Sequence, residues 1–274
     1  MNPTAAPSIR SRSNALVRSL RALGSSAQER REQGAYLAAG VRLVEEALSR
    51  DVALECAVCS PRLLREARGR RLQRQVQGAT RRFETVTDDL LGWILGTPSH
   101  QGVAVRLARR EFTLEEVMNP ALHPLLLVAW GVQDPGNLGG LLRVTAAAGG
   151  SGVLAVEGCA DLYNPKAVRA SGGALFHLPA ASRLPGPALL EGLAVAGYTR
   201  VGAVARGGAR YDTLEWGSPT AVVVGGEAAG IPEPAVTAME QRVSIPMAAD
   251  MESLNVLSAA TLLLYEASRH LPRD

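Results

Sequence analysis

From Leu125 onward the chain repeats one pattern: a short apolar run, a turn rich in Gly, Pro or Asn, then a segment with helical spacing. The pattern predicts strands at 125–130, 152–156, 199–204, 220–224 and 242–246, and helices at 138–149, 165–171, 187–196, 233–240 and 254–270. Apolar runs without polar alternation fit strands buried on both faces. Strands alternating with helices leave few options, chiefly a mostly parallel sheet covered by helices on both sides. Ligands bind such sheets at the carboxyl ends of the strands, so the turns after 130, 224 and 246 are where chemistry is expected.

The preceding part reads as a second, smaller α/β domain. Residues 1–9, with Pro3 and Pro7, read as a loose tail. Spacing predicts helices at 13–22, 33–50, 61–77 and 88–95, and strands at 53–59, 83–86 and 102–107. A polar stretch bounded by Pro120 and Pro124 divides the chain into a domain at 1–110, a linker at 111–123 and a domain at 124–274. The length of 274 residues suits two domains, and 47% hydrophobic with 20% charged residues excludes a disordered chain. No apolar run approaches the ~20 residues of a membrane helix. The Arg-bearing N-terminus lacks the apolar core of a signal peptide, and three cysteines cannot build a disulfide framework. The expected compartment is the cytoplasm, with no membrane partner.

The two parts differ in charge. Residues 1–110 hold 19 Arg against 10 acids, a balance of +9, while residues 111–274 hold 10 Lys plus Arg against 16 acids, a balance of −6. The segment 62–82 alone carries eight Arg and one acid, Glu66. Such a basic half points to a polyanion, with nucleic acid first; a solvated Arg-rich face is the plainer alternative. Lys166 is the only Lys among 29 basic residues, so the preference for Arg is compositional.

Common catalytic patterns are missing. Cys56 and Cys59 form a C-x-x-C inside an apolar run, with no further ligands at zinc spacing, and read as core packing. His100, His123, His177 and His270 show no ligand pairing, so no metal is expected. There is no G-x-S-x-G, no P-loop and no G-x-G-x-x-G dinucleotide turn.

Three segments remain, each just after a predicted strand. In the first, Asp134-Pro135-Gly136 makes a turn, Asn137 is placed as a helix N-cap, and Arg143 follows six residues later, where it can meet a phosphate. In the second, Gly225, Gly226 and Gly230 surround Glu227 and allow close backbone approach to a ligand. In the third, Ile245-Pro246-Met247 ends a strand, and Ser253 or Asn255 opens the last helix.

Together these segments resemble the three signature motifs of the SpoU/TrmH family of RNA ribose 2′-O-methyltransferases. Asn137, Gly139 and Arg143 match the first motif; Gly225, Glu227 and Gly230 match the second. Pro246, Met247, Ser253, Leu254, Asn255 and Val256 match the third. The likeness covers 124–274; more weakly, residues 10–107 resemble the substrate-binding domain that precedes it in many members, through 10–47 and Thr97–Val103. Two positions depart from the usual pattern. Ala39-Gly40 stands for a Glu-Gly pair, and the Gly that often follows Pro-Met is replaced within Ala248-Ala249-Asp250.

The resemblance implies a C-terminal trefoil-knotted methyltransferase domain preceded by an L30e-like α/β domain that binds RNA. It implies S-adenosylmethionine as cofactor, contacted by backbone around Gly225, Ile245, Met247 and Leu254, and a homodimer with the site near the subunit interface. Arg143 is the family's candidate for proton removal or phosphate anchoring, oriented with the ribose by Asn137, Glu227, Ser253 and Asn255. The implied substrate is structured RNA, ribosomal in preference to transfer RNA. A tRNA methyltransferase or a base methyltransferase on the same fold, and a catalytically silent RNA-binding protein, are the rival readings. In the last helix, Ala259, Ala260, Leu262 and Leu263 form a second apolar stripe; a helix sandwiched within its own domain is the plainer reading, and packing on a partner subunit is the one the resemblance implies.

Overall fold

The computed structural model describes residues 7–110, 112–217, 219–227, 229–248 and 252–271. They gather into two compact units, Met1–Arg110 with Tyr163–Phe176, and Glu111–Leu162 with His177–Asp274.

The first unit runs α1 (Ala15–Ser25), α2 (Ala27–Glu32), β1 (Ala35–Ala39), α3 (Val41–Ser49), β2 (Leu54–Cys59), α4 (Ala67–Ala79), β3 (Phe83–Thr85), α5 (Asp88–Leu95) and β4 (Val103–Ala108). Its sheet has the order β1-β4-β2-β3, antiparallel except for the β2/β3 pair. Leu20 and Leu23 of α1 and Leu91 and Ile94 of α5 share one core with Leu37 and Val58 of the sheet. The helix expected over 33–50 is instead β1 followed by α3. A buried apolar run such as Ala35–Ala39 cannot be told from a helix by spacing. Gly34 (φ 56°) and Gly40 (φ 106°) punctuate both its ends. Residues 7–9, expected loose, are docked: the Ile9 amide donates to the Thr85 carbonyl at 3.0 Å, and Ile9 is buried. The rest of that tail lies outside the described residues. Cys56 and Cys59 both sit buried on β2, and burial pushes the Cys59 thiol up to about 12.

The rest of the chain runs α6 (Leu114–Val117), β5 (Leu125–Trp130), α7 (Pro135–Ala147), β6 (Gly152–Val156), α8 (Pro165–Ala170), β7 (Ala180–Leu184), α9 (Gly186–Val195), β8 (Thr199–Ala203), β9 (Ala209–Arg210), β10 (Thr220–Gly225), α10 (Glu233–Thr237), β11 (Gln241–Ser244) and α11 (Val256–Ser268). Helix α8, expected to cover the second sheet, belongs to the first unit, where it packs on β1. There the Tyr163 ring lies 4.8 Å from that of Tyr36, with the Arg109 guanidinium 4.7 Å from the Tyr163 centroid. The stretch 111–123, expected as a linker, is part of the second unit. Thr113 and Glu116 close a capping box around α6, and Val117 is wholly buried in a core with Leu126, Leu154 and Leu193.

The second unit's sheet has seven strands in the order β7-β6-β5-β10-β8-β11-β9, and every described pairing is parallel. This places the fold in the α/β class. Strands laid down late fill gaps left earlier: β10 enters between β5 and β8, and β11 between β8 and β9. β7 and β9 were not expected, because neither Ala180–Leu184 nor Ala209–Arg210 contains a β-branched or aromatic residue. In α11 the buried set is Val256, Ala260, Leu263, Leu264 and Ala267. Leu262 is 38% and Tyr265 49% exposed. The stripe expected to face a partner is therefore split, since Leu263 and Ala260 serve this chain's own core. Among the described residues no helix is long and apolar enough to cross a membrane.

Candidate active site

Three of the second unit's adjacent strands, β10, β8 and β11, end at one cavity of about 300 Å³. The loop after β10 is shaped by its glycines. A methyl group on Gly225 would lie 2.2 Å from the Gly230 carbonyl carbon, and one on Gly226 would lie 2.1 Å from the Gly131 oxygen. The turn closes on itself through the Gly230 amide, which donates to the Gly226 carbonyl at 2.9 Å, while Gly230 takes φ 63°. It is also tied to β5, where the Gly226 amide donates to the Trp130 carbonyl at 2.8 Å. Only glycine permits both approaches.

Gly225, Ile245, Met247 and Leu254, the four expected cofactor contacts, all line the cavity, and so do Glu227 and Ser253. Its walls are mainly apolar: Val224 from β10, Ala203 from β8, Val243 from β11, and Val256 and Leu263 from α11. Among the described residues, Asn137, Arg143 and Asn255 do not line it. Asn137 reaches it indirectly, its side-chain amide donating to the Glu227 carboxylate. That bond joins the first motif to the second.

Asn137 is free for this because it is not the cap of α7. Asp134 is, accepting from the Asn137 amide at 2.9 Å, with Pro135 at the first helical position. The sequence offers both an Asp and an Asn at this turn, and Pro135 decides between them, since Pro fits the first turn and the cap precedes it. At the other helix Asn255 is the cap: its side-chain oxygen accepts from the Leu257 amide at 2.9 Å, leaving the amide group available. Ser253 is thereby free of a capping role. Arg143 is exposed, one and two-thirds turns beyond Asn137 on α7, and makes no hydrogen bond or ion pair among the described residues. Helices α7 and α11 pack so closely that a methyl group on Gly140 would come within 2.7 Å of Leu257.

Comparison with known proteins gives the arrangement its context. Residues 124–265 match the model of the SpoU rRNA methylase family, and residues 14–104 that of the MRM3-like substrate-binding domain. An uncharacterized tRNA/rRNA methyltransferase of Synechocystis is 32% identical over 263 residues, covering 96% of this chain and 93% of that protein. The chain belongs to the SpoU methylase family. The 23S rRNA (guanosine(2553)-2′-O)-methyltransferase of Bacillus subtilis is 30% identical, covering 87% of this chain and 90% of that one. An AdoMet-bound rRNA methyltransferase from Sinorhizobium meliloti superposes with a TM-score of 0.83 at 26% identity, covering 97% of this chain and 98% of that one.

For this SpoU family member, sequence reasoning missed the cavity wall formed by Ala203, Val204 and Ala205 at the end of β8, and it missed Glu252. A strand over 199–204 was legible, but not that β8 lies between β10 and β11. The one available signal was the Gly207-Gly208 pair, which brings the next loop against β11: a methyl group on Gly208 would sit 2.8 Å from the Val243 backbone.

Proposed function

We propose that this SpoU methylase family member transfers a methyl group from S-adenosylmethionine to a ribose 2′-hydroxyl of ribosomal RNA. The observation that carries the reading is the single cavity gathering residues of the second and third motifs, with Asn137 of the first bonded to Glu227 at its rim. The B. subtilis and S. meliloti relatives support the substrate and the cofactor.

The cavity fits the cofactor. Apolar walls from β8, β10, β11 and α11 suit an adenosine moiety, and the glycine turn at 225–230 lets backbone come close to it. S-adenosylmethionine supplies an activated methyl group on a sulfonium. The chain must then bind the ribose in line and favour loss of its proton. Glu227, held by Asn137, and Ser253 stand at the cavity as hydrogen-bonding groups for that ribose. Arg143 presents a guanidinium to solvent and serves as a phosphate anchor. Asn255 fixes the start of α11, which carries Val256 and Leu263 into the cavity wall.

Three finer features belong to the same reading. The late insertion of β10 and β11 between earlier strands supports a trefoil knot. The exposed stripe Ser258, Leu262, Tyr265 and Arg269 of α11 supports a homodimer in which a second copy brings Arg143 toward the partner's cavity. In the first unit, the small mixed sheet with its Arg-rich α4 supports an L30e-like RNA-binding role. Incubating the protein with ribosomal RNA, and separately with transfer RNA, and methyl-labelled S-adenosylmethionine tests the reading: label on the ribose of ribosomal RNA is expected, and label confined to bases or to transfer RNA refutes it.

A further inference from the structure

The cavity walls carry a charge imbalance. Glu227 and Glu252 line it, and no Arg, Lys or His does among the described residues. The two acids are not equivalent. Glu227 accepts a hydrogen bond from Asn137 and so stands at the first motif. Glu252 is exposed and makes no hydrogen bond or ion pair among the described residues, yet it borders the same space, next to Ser253 and Leu254. An unpaired carboxylate at the mouth of a mainly apolar pocket suits a cationic group, because partial desolvation on binding strengthens their attraction.

S-adenosylmethionine carries two cations, a sulfonium and an ammonium, and one carboxylate. Its adenosine end is apolar and flat, and its amino-acid end is polar. The walls formed by Val224, Ala203, Val243 and Leu263 are buried or nearly so, whereas Glu252 is exposed. Adenosine in the inner part leaves the amino-acid end at the rim. We infer that Glu252 is a cofactor-binding residue, its carboxylate accepting hydrogen bonds from the cofactor's ammonium group. The assignment rests on the S-adenosylmethionine reading above.

Calorimetric titration separates the two claims without any turnover. The ligands are S-adenosylmethionine, S-adenosylhomocysteine, which keeps the ammonium but lacks the sulfonium charge, and 5′-methylthioadenosine, which lacks the amino acid. Glu252→Gln should weaken the first two by about tenfold each and leave the third within twofold of wild type. Glu252→Lys should weaken the same two further, because the effect is one of charge. Weakening of S-adenosylmethionine alone would place the carboxylate at the sulfonium and overturn the assignment. Equal weakening of all three would mean damage to the loop and would also overturn it. Variants that follow wild type on every ligand refute the Glu252 role while leaving the methyltransferase reading intact. A wild-type protein that binds none of the three refutes that reading itself.

Discussion

The two units use charge in opposite ways. In the first, arginines lie on the outside of α4 and its flanks; some are neutralised locally, as Arg68 is by Glu45 and Arg82 by Glu84, while Arg71, Arg74 and Arg81 make no contact ion pair among the described residues, Arg71 acting on Glu45 only at longer range. In the second, the cavity is mainly apolar, and among the described residues its charged wall groups are acids. A surface of scattered, mobile cations suits a long polyanion and discriminates little by itself. A confined pocket with few fixed polar groups suits one small ligand. On the function proposed above, the contrast divides the labour, with affinity for RNA from the first unit and cofactor binding and chemistry from the second.

Arg143 bears on this division: it is exposed on the unit whose cavity presents acids, and makes no ion pair among the described residues. Arg143→Ala is the sharpest break: single-turnover methyl transfer should fall about a thousandfold, in line with loss of a charge-stabilising group. S-adenosylmethionine affinity measured by calorimetry should stay within twofold, because Arg143 does not line the cavity. Next in size, Gly225→Ala forces a methyl group into the Gly230 backbone and should weaken cofactor binding about a hundredfold, with RNA affinity unchanged in a filter-binding assay. If RNA affinity fell equally, the two units would not divide the work as stated.

Replacing Leu262 with Glu tests assembly. Light scattering should report twice 28.8 kDa for the wild type and 28.8 kDa for the variant. Leu263→Glu is no substitute, since that side chain is buried in the chain's own core and the variant should simply unfold. The smallest effect concerns the basic face. Replacing Arg71, Arg74 and Arg81 together by Ala should lower the slope of log affinity against log salt by about 2 to 3, at roughly 0.7 to 0.9 per phosphate contact. Cofactor binding should not change. An unaltered slope would mean that this face is merely solvated. Deleting residues 1–110 is a poorer test, because it would strip α8 and Tyr163 of the strand they pack on.

Much of this was legible in the sequence. The pattern after Leu125 located strands β5 and β6 to the residue, and six of the nine expected site residues line the cavity. What failed did so for physical reasons. Ala35–Ala39 is apolar on both faces and has no period to read. Helix α8 has an apolar face like any other, and nothing local says which unit will cover it. The cap at α7 went to Asp134 because Pro135 fixes the first turn, a choice between two good caps that spacing alone leaves open. The wall from β8 and the role open to Glu252 depend on strand order, which is set by packing across the whole sheet.

The central claim is ribose methylation of ribosomal RNA, and mapping the methyl group tests it most directly. Ribosomal RNA from cells lacking the protein, treated with the purified enzyme and labelled S-adenosylmethionine, should yield one labelled nucleoside on complete digestion. That nucleoside should carry its methyl on the 2′-oxygen, at a position already methylated in wild-type cells. Label on a base, or no position that differs between the two cell types, would contradict it.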